Sequence, residues 1–424
     1  SIPFRKYFVK DMHGKYPFPE ATATTEVLVS GEKKGNQAKL LAVSGLIGGL
    51  YDFCVSTFGW WAEGISTRIM GWGEVLADKM KVVFKVNTGA AVLGLGYIIG
   101  LKYAAIICAG SFTVWFVLIP FISHFADGQT LAVGEGISVL LRDMTPEQIF
   151  SNYARHIGIG GIAMAGVIGI IRSSSIIKQA LGLAVSELGG KKKGEGAVER
   201  TQRDISMKFI LSGIISILIA TFVFFQFGVL GNLTHTIIAT LIVFVISFLF
   251  TTVAANAIAI VGSNPVSGMT LMTLILSSLV LVSAGLSGTS GMMAAMIIGG
   301  VVCTALSMAG GFITDLKIGY WLGTTPARQE GWKFLGTAVS AGVMMVLNQT
   351  YGFVGENALV APQANAMAAV IKPLMEGGAT PWLLYFAGAA LALILTMIGV
   401  PALAFALGMF IPLDLNTPLL IGGL

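Results

Sequence analysis

The sequence predicts an all-α fold: a polytopic bundle of transmembrane helices that includes short or broken membrane-embedded segments. Of its 424 residues, 55% are hydrophobic and only 11% are charged, and the mean hydropathy is +0.83. A soluble domain carries about 25% charged residues, so this chain has too few charges to cover a water-exposed surface. The chain also has 54 glycines. Many lie inside apolar runs, where small residues let membrane helices pack closely.

Apolar runs of about 20 residues, the length that crosses a bilayer, mark the predicted membrane segments. They lie at residues 38–58, 88–101, 103–124, 152–171, 207–229, 235–261, 269–287, 290–313, 333–349, 362–376, 380–399 and 402–424. Two of them, 88–101 and 362–376, are too short or too interrupted for plain spans, which is typical of transporter binding sites. The alternative for both is an ordinary packed or interfacial helix. Residues 59–87 are expected to lie along the membrane interface, or to dip into the membrane and return.

The domain prediction is one integral membrane domain over residues 1–424. We expect it to be a fragment of a longer chain, with membrane segments missing at both ends. Residues 172–208 are rich in Lys and Arg, which indicates a cytoplasmic loop, because cytoplasmic loops of membrane proteins carry an excess of these residues. The net charge of +5 has the same explanation, so no nucleic-acid partner is implied. The expected location is the cell membrane, with the lipid bilayer as a partner and an oligomeric state that the sequence leaves open.

Neither a cofactor nor a metal site is predicted. The three cysteines, Cys54, Cys108 and Cys303, lie in separate apolar runs without metal-ligand spacing, and this argues against a disulfide scaffold or a zinc site. The four histidines are scattered along the chain.

One string resembles an enzyme motif. Residues 288–291 read Gly-Thr-Ser-Gly, which matches the motif of rhomboid-type intramembrane serine proteases. Such a protease needs a histidine on a later helix, and none follows His235. An intramembrane serine hydrolase that uses Ser290 is therefore the alternative function.

The string Tyr-Pro-Phe-Pro-Glu at residues 16–20 predicts the start of a helix. Proline has a φ angle that suits the first helical turn, and Glu20 would lie near the helix N-terminus, where the dipole favours a negative charge. A carboxylate held between packed helices is a candidate for binding a proton or a substrate amine. Glu20 is thus the predicted proton-coupling residue, ahead of Glu26. The alternative is an ordinary capped helix start.

A second string, Ser263-Asn264-Pro265, lies between two long apolar runs. Proline cannot donate its backbone hydrogen bond and disfavours helix at the residue before it. The freed carbonyl groups need another partner, and the amides of Asn256 and Asn264 lie close to them in sequence. We predict that Asn256, Asn264 and the backbone around Pro265 bind peptide-like groups. The alternative is a tight cytoplasmic turn.

The two short segments supply the rest of the predicted substrate-binding site. Tyr97 and Lys102 come from the end of the first, and Gln363 and Asn365 come from the second. Lys102 could extend towards the membrane surface, or it could contact a substrate carboxylate.

Six strings, in order along nearly the whole chain, resemble the oligopeptide transporter (OPT) family, which includes the yellow stripe-like metal-chelate transporters. They are YPFPEATATTEVL at 16–28, LGLGYIIGLK at 93–102, GSNPVSG at 262–268, DLKIGYWLGTTP at 315–326, APQANAM at 361–367 and LGMFIPLDLNTPLLIGGL at 407–424. The glycine-rich style and compact loops resemble a prokaryotic member. The residues ATATT after PFPE depart from the GTA-type residues usual in the family.

The resemblance implies a secondary active transporter and not an enzyme. It implies a proton-coupled symporter that imports short oligopeptides, or related metal-chelate ligands, across the cell membrane.

Overall fold

The computed structural model shows a chain that is mainly helical. The structure describes residues 2–32, 36–125, 140–172, 199–261, 266–352, 367–368, 371–372, 374–377 and 381–424. Within them, five helical stretches are long and apolar enough to cross a membrane: Lys39–Phe58, Leu101–Phe125, Arg200–Leu230, Leu233–Ile260 and Gly288–Leu322. The shortest has 20 residues, about 30 Å of helix, which matches the hydrocarbon thickness of a bilayer. The predicted all-α membrane fold is confirmed.

The helices have the following bounds in the described part of the chain. The N-terminal ones are α1 (Pro19–Glu32), α2 (Asn36–Phe53), α3 (Gly71–Lys79), α4 (Ala90–Ile99), α5 (Leu101–Phe112), α6 (Ile119–Phe125), α7 (Pro146–Ile149) and α8 (Arg155–Arg172). The middle ones are α9 (Met207–Phe224), α10 (Leu233–Val261), α11 (Val266–Ser283), α12 (Gly288–Leu322) and α13 (Pro326–Tyr351). The C-terminal ones are α14 (Trp382–Met397), α15 (Ala402–Phe410) and α16 (Leu413–Gly423).

The chain divides into two compact units, each assembled from segments that are distant in sequence. The first comprises Ser1–Tyr16, Ile170–Asn256 and Thr273–Gly377. The second comprises Pro17–Gly169, Ala257–Met272 and Gly378–Leu424. Of the predicted site residues that the structure describes, Glu20, Tyr97 and Lys102 belong to the second unit and Asn256 to the first.

Residues 59–88 of the second unit form a closed excursion between α2 and α4. Strands β1 (Gly64–Ser66) and β2 (Lys85–Asn87) pair antiparallel, with Ile65 opposite Val86. Helix α3 lies between the strands in sequence, and the Thr88 N–H donates to the Glu63 carbonyl oxygen at 2.8 Å. Trp60 is 68% exposed, and exposed Trp is typical of membrane–water interfaces.

The core of the second unit contains a cluster of large side chains from α5 to α8. The rings of Trp115 and Phe150 stack with centroids 5.1 Å apart, and Ile119, Leu141 and Tyr153 are fully buried beside them. Aromatic pairs of this kind add about 0.5–1.5 kcal/mol to the stabilisation from burial alone. This cluster packs the segments between α5 and α8 against one another.

Helix α7 begins with a capping box that fixes an ion-pair centre. The Thr145 hydroxyl accepts from the Gln148 N–H at 3.3 Å, and the Gln148 side chain accepts from the Thr145 N–H at 2.9 Å. Glu147 follows in the first turn and pairs with Arg68 at 2.8 Å and Lys85 at 2.7 Å. The carboxylate therefore links α7 to the β hairpin.

In the first unit, a buried lysine holds the N-terminal residues against α12. The Lys317 side chain, 1% exposed, donates from Nζ to the Val9 carbonyl oxygen at 2.7 Å and lies 3.1 Å from His13 Nδ1. Its ammonium group also lies 5.1 Å from the centre of the Tyr320 ring, within the range of a cation–π interaction. A buried charge is tolerated only with such partners.

Candidate functional site

The first broken helix of the second unit consists of α4 and α5, which are separated at Gly100. This residue has φ +81° and ψ +158°, a conformation that residues with a Cβ atom rarely adopt. Helix α4 has only 10 residues, about 15 Å, or half the thickness of the hydrocarbon core. The prediction of a short segment before Lys102 is confirmed.

The second broken helix consists of α15 and α16, and it corrects the single segment expected at residues 402–424. Helix α15 ends at Phe410 and α16 begins at Leu413. Pro412 has no N–H and disfavours helix at the preceding residue, and Ile411 is accordingly extended with ψ +139°. The break frees backbone carbonyl groups in an otherwise apolar helix.

The two broken helices pack against each other at a distance that only glycine allows. Cβ atoms built on four glycines would lie 1.8–2.2 Å from a carbonyl oxygen of the facing helix, a spacing that real Cβ atoms essentially never show. The four approaches join Gly96 to Leu419, Gly408 to Ile107, Gly110 to Phe405 and Gly422 to Leu93. Residue numbers rise along one helix as they fall along the other. The two broken helices are therefore antiparallel.

These contacts reveal an internal repeat with an offset of 312 residues. The offset carries Gly96 onto Gly408 and Ile107 onto Leu419, so that one close contact is carried onto another. It also carries the break at Gly100 onto Pro412. Residues 93–112 and 405–424 share five identical positions under this offset: Leu95 and Leu407, Gly96 and Gly408, Ile99 and Ile411, Leu101 and Leu413, Gly110 and Gly422. Antiparallel copies are related by a two-fold axis across the helices, as in the inverted repeats of transporters.

The axis of this repeat passes at the level of the breaks. The contacts that pair Leu93 with Gly422 and Gly110 with Phe405 define an antiparallel register. In that register Lys102 lies level with Leu413, and Asp414 lies level with Leu101. The offset of the repeat carries Lys102 onto Asp414, so a cation and an anion occupy equivalent positions within about one residue of the axis.

A buried polar network crosses between the two copies. The Asn416 side-chain amide donates to the Ser111 hydroxyl at 2.5 Å, to the Gly408 carbonyl at 3.2 Å and to the Ile411 carbonyl at 3.3 Å. Ser111 in turn donates to the Gly408 carbonyl at 2.6 Å. This network satisfies carbonyl groups that the break at Pro412 frees, as buried polar groups require. The equivalent positions in the other copy, Ala104 and Gly423, make an apolar contact instead.

The predicted residues Tyr97 and Lys102 lie at the first break and both are exposed, Tyr97 at 80%. The Lys102 ammonium group lies 5.9 Å from the centre of the Tyr103 ring. Tyr97 and Lys102 were thus predicted from the sequence as residues at this break. Asp414, Asn416 and Ser111 were not predicted. The sequence signal that could have indicated them is the repeat of Leu, Gly and Ile at the 312-residue offset.

Helix α1 begins at Pro19, and Glu20 lies in its first turn, as the proline-rich string predicted. The preceding residue, Phe18, is buried with a positive φ of 42° and donates its N–H to the Ala259 carbonyl oxygen at 3.0 Å. Glu20 is exposed on the surface of its unit. Its neighbour Glu26 lines an open groove of about 800 Å³ between α1, α2 and Ile98 of α4.

Of the remaining predicted residues, one lies in the first unit and the others lie outside the residues that the structure describes. Asn256 lies in α10, half-buried, and its Oδ1 atom is buried without a hydrogen-bond partner among the described residues. Asn264, Pro265, Gln363 and Asn365 lie outside the described residues. So does most of the basic segment 172–208.

The serine of the enzyme-like string lies in the first turn of α12. Ser290 is exposed there. The His235 ring contacts the carbonyl oxygen of Ala284 through Nε2 at 3.1 Å. The histidine therefore has a backbone partner of its own.

A second polar cluster, in the first unit, joins three distant parts of the sequence. Arg5, 2% exposed, forms an ion pair with Asp204. Glu330, 1% exposed, accepts from the Ile205 N–H at 2.7 Å. Burial and, to a smaller extent, the Asp204 carboxylate raise the pKa of Glu330 to about 7, although the Ile205 N–H and Arg5 act to lower it. This carboxyl group therefore holds its proton up to near-neutral pH.

Comparison with known proteins gives two similarities over the whole chain. The sequence model for the OPT oligopeptide transporter protein family matches residues 1–424. The chain is also 24% identical over 479 residues to a Haemophilus influenzae protein named "Putative oligopeptide transporter", and the match covers 100% of this chain and 71% of that protein. Both broken helices lie within the matched region.

Proposed function

Because the chain belongs to the OPT oligopeptide transporter family, we propose that it imports short oligopeptides across the cell membrane in symport with protons. Family membership and the apolar helices make it a multi-pass integral membrane protein and a transporter, not an enzyme. The name of the Haemophilus influenzae relative supports peptides as the substrate class. Metal-chelate ligands, which also offer amines and carboxylates, are the alternative substrate class. The serine hydrolase alternative has no support from the family.

The observation that carries the proposal is the antiparallel pair of broken helices in the second unit. Transporters of inverted-repeat architecture bind substrate where discontinuous helices expose backbone groups near the bilayer midplane. The breaks at Gly100 and Pro412, related by the repeat, are discontinuities of this kind. Alternating access then moves helices around this fixed point.

We assign proton coupling to Glu20. Its position in the first turn of α1 places the carboxylate where the helix dipole favours a negative charge. Glu26, which lines the groove beside the hydroxyl groups of Thr25 and Ser30, is the second candidate on the same helix.

We assign peptide contacts to the predicted polar residues. Tyr97 and Lys102 act from the first break, and Asn256 offers an unpaired buried acceptor among the described residues of α10. The remaining contacts are proposed for Asn264, the backbone at Pro265, Gln363 and Asn365.

Uptake into proteoliposomes tests the proposal. Vesicles with a neutral interior are placed in a medium of lower pH that contains radiolabelled trialanine, and uptake is compared with and without a protonophore. We expect uptake to depend on the pH gradient and to exceed that of an iron-chelate probe. Preferential uptake of the chelate would assign the alternative substrate class, and uptake indifferent to the gradient would refute the coupling.

Three matched variants of α1 test the coupling residue. Glu20→Gln is expected to abolish proton-driven accumulation, whereas Glu32→Gln, at the exposed C-terminal end of the helix, serves as the control. Glu26→Gln distinguishes the second candidate. Full proton-driven accumulation in Glu20→Gln would remove Glu20 from the mechanism.

A further inference from the structure

Two opposite charges occupy equivalent positions at the two breaks. Lys102 is the second residue of α5, and Asp414 is the second residue of α16. Both lie within about one residue of the axis of the repeat, as the glycine contacts define it. The repeat therefore preserves backbone geometry at these positions while it reverses the charge.

The positive charge of Lys102 is electrostatically unfavourable at the N-terminus of α5. The N-terminus of a helix carries a partial positive charge, which favours Asp414 and disfavours Lys102. Neither residue forms an ion pair with another residue in the part of the chain that the structure describes. Among the described residues no carboxylate pairs with this exposed cation, so it is available to an anionic ligand.

The break beside Asp414 also retains a buried hydrogen-bond acceptor. Asn416 is fully buried and uses its amide nitrogen on the Ile411 and Gly408 carbonyls. Its Oδ1 atom has no hydrogen-bond partner among the described residues. A buried unpaired acceptor is costly, and this oxygen, two residues from Asp414, is available to accept from an N–H group of a bound ligand.

We propose that Lys102 binds the terminal carboxylate of a peptide and Asp414 binds its terminal ammonium group. This inference rests on the proposed function and specifies how its substrate is recognised. A free peptide carries both charges, one at each end, as the two equivalent positions do. Hydrogen bonds between ionised partners are about twice as strong as neutral ones. The pair would therefore select peptides with both termini free.

Competition with capped peptides tests this assignment in proteoliposomes. The probes are trialanine, N-acetyl-trialanine and trialanine amide, each used to compete with labelled trialanine. We expect each cap to weaken competition by about tenfold to a hundredfold in the wild-type protein. Lys102→Gln should remove the penalty for the amide cap alone, and Asp414→Asn should remove the penalty for the acetyl cap alone. Lys79→Gln and Asp78→Asn, exposed on α3, are the matched controls.

The outcomes separate this inference from the proposed function. Wild-type uptake that ignores both caps would overturn the inference and leave peptide transport in place. Cap penalties that persist unchanged in both variants would also overturn it. Absence of peptide uptake by the wild-type protein would overturn both. The wild-type comparison needs no variant, so a variant that fails to fold leaves the inference open to refutation.

Discussion

Gly96 of α4 lies against Leu419 of α16 so closely that a Cβ atom built on the glycine would stand 2.2 Å from the leucine carbonyl oxygen. The same contact is repeated by Gly408 and Ile107 on the other copy. Backbone packed against backbone in this way leaves no side chain between the helices, and van der Waals contact replaces the hydrophobic effect that lipid does not supply.

Gly96→Ala is expected to destabilise the protein, because the added methyl group forces the two helices apart. Overpacking of this kind costs about 1–3 kcal/mol. The control is Gly94→Ala, two residues away on the same helix, where an added Cβ meets no atom within 4 Å. Thermal unfolding in detergent should show a lowered apparent Tm for Gly96→Ala alone. Equal Tm values for the two variants would contradict the close packing.

Asn416→Ala is expected to destabilise the second broken helix. The substitution removes the amide that donates to the Ile411 carbonyl and, in the buried part of the network, to the Ser111 hydroxyl and the Gly408 carbonyl, at a cost of about 1–3 kcal/mol. Thr113→Ala is the control, because the Thr113 hydroxyl donates to the Ala109 carbonyl of its own helix at 2.8 Å. Chemical denaturation in detergent measures the difference. A stability loss confined to Thr113→Ala would refute the role of the network.

Glu330→Gln is expected to remove a pH dependence of stability. The folded-state pKa is raised from 4.5 to about 7, so the folded protein binds this proton more tightly than the unfolded chain does. The stabilisation is fully present below about pH 4.5 and is lost as the pH rises through 7. The apparent Tm of the wild type, relative to Glu330→Gln, should therefore fall over that range.

The control for this pH dependence is Asp315→Asn, which removes a carboxylate that pairs with Lys333 at 2.5 Å in the same unit. Both variants are compared with the wild-type slope of Tm against pH. A Glu330→Gln variant with that same slope would show that another group titrates.

Glu147→Gln is expected to weaken the link between α7 and the β hairpin at neutral pH. Burial alone would raise the pKa of Glu147, but the hydrogen bond from Lys85 and the charges of Lys85 and Arg68 lower it overall. Its stabilisation is thus present above about pH 4.5, the unfolded value, and is lost as the pH falls through the lower folded value.

Because all three side chains are partly exposed, the expected loss for Glu147→Gln is about 1 kcal/mol or less. Glu74→Gln, an exposed carboxylate on α3, is the control. Thermal unfolding between pH 7 and pH 3 measures both variants. Parallel curves for the wild type and Glu147→Gln would contradict the ion-pair assignment.

The features that were predictable from sequence are local ones. Long apolar runs predict spans because the bilayer imposes a minimum length, and Pro19 predicts the start of α1 because its φ angle suits the first turn. The break at Pro412 was missed because residues 402–424 remain apolar on both sides of it, so hydropathy alone gives one segment.

The features that were not predictable depend on contacts between distant residues. Ser111 and Asn416 are 305 positions apart, and Arg5 and Asp204 are 199 apart. Each of these polar side chains alone reads as an ordinary surface or junction residue. Only the packing of the folded chain brings them together. Lys102 and Asp414 are likewise recognised as equivalent positions only through the repeat.

The closed β hairpin between α2 and α4 has a consequence for membrane sidedness. The two ends of this segment are joined by the hydrogen bond from the Thr88 N–H to the Glu63 carbonyl oxygen. The segment therefore returns to the point where it began and does not cross the membrane. The C-terminal end of the span at Lys39–Phe58 and the N-terminal end of α4 therefore face the same compartment. Single cysteines at positions 63 and 88 should thus react with an impermeant thiol reagent from one side of the membrane only, and from the same side.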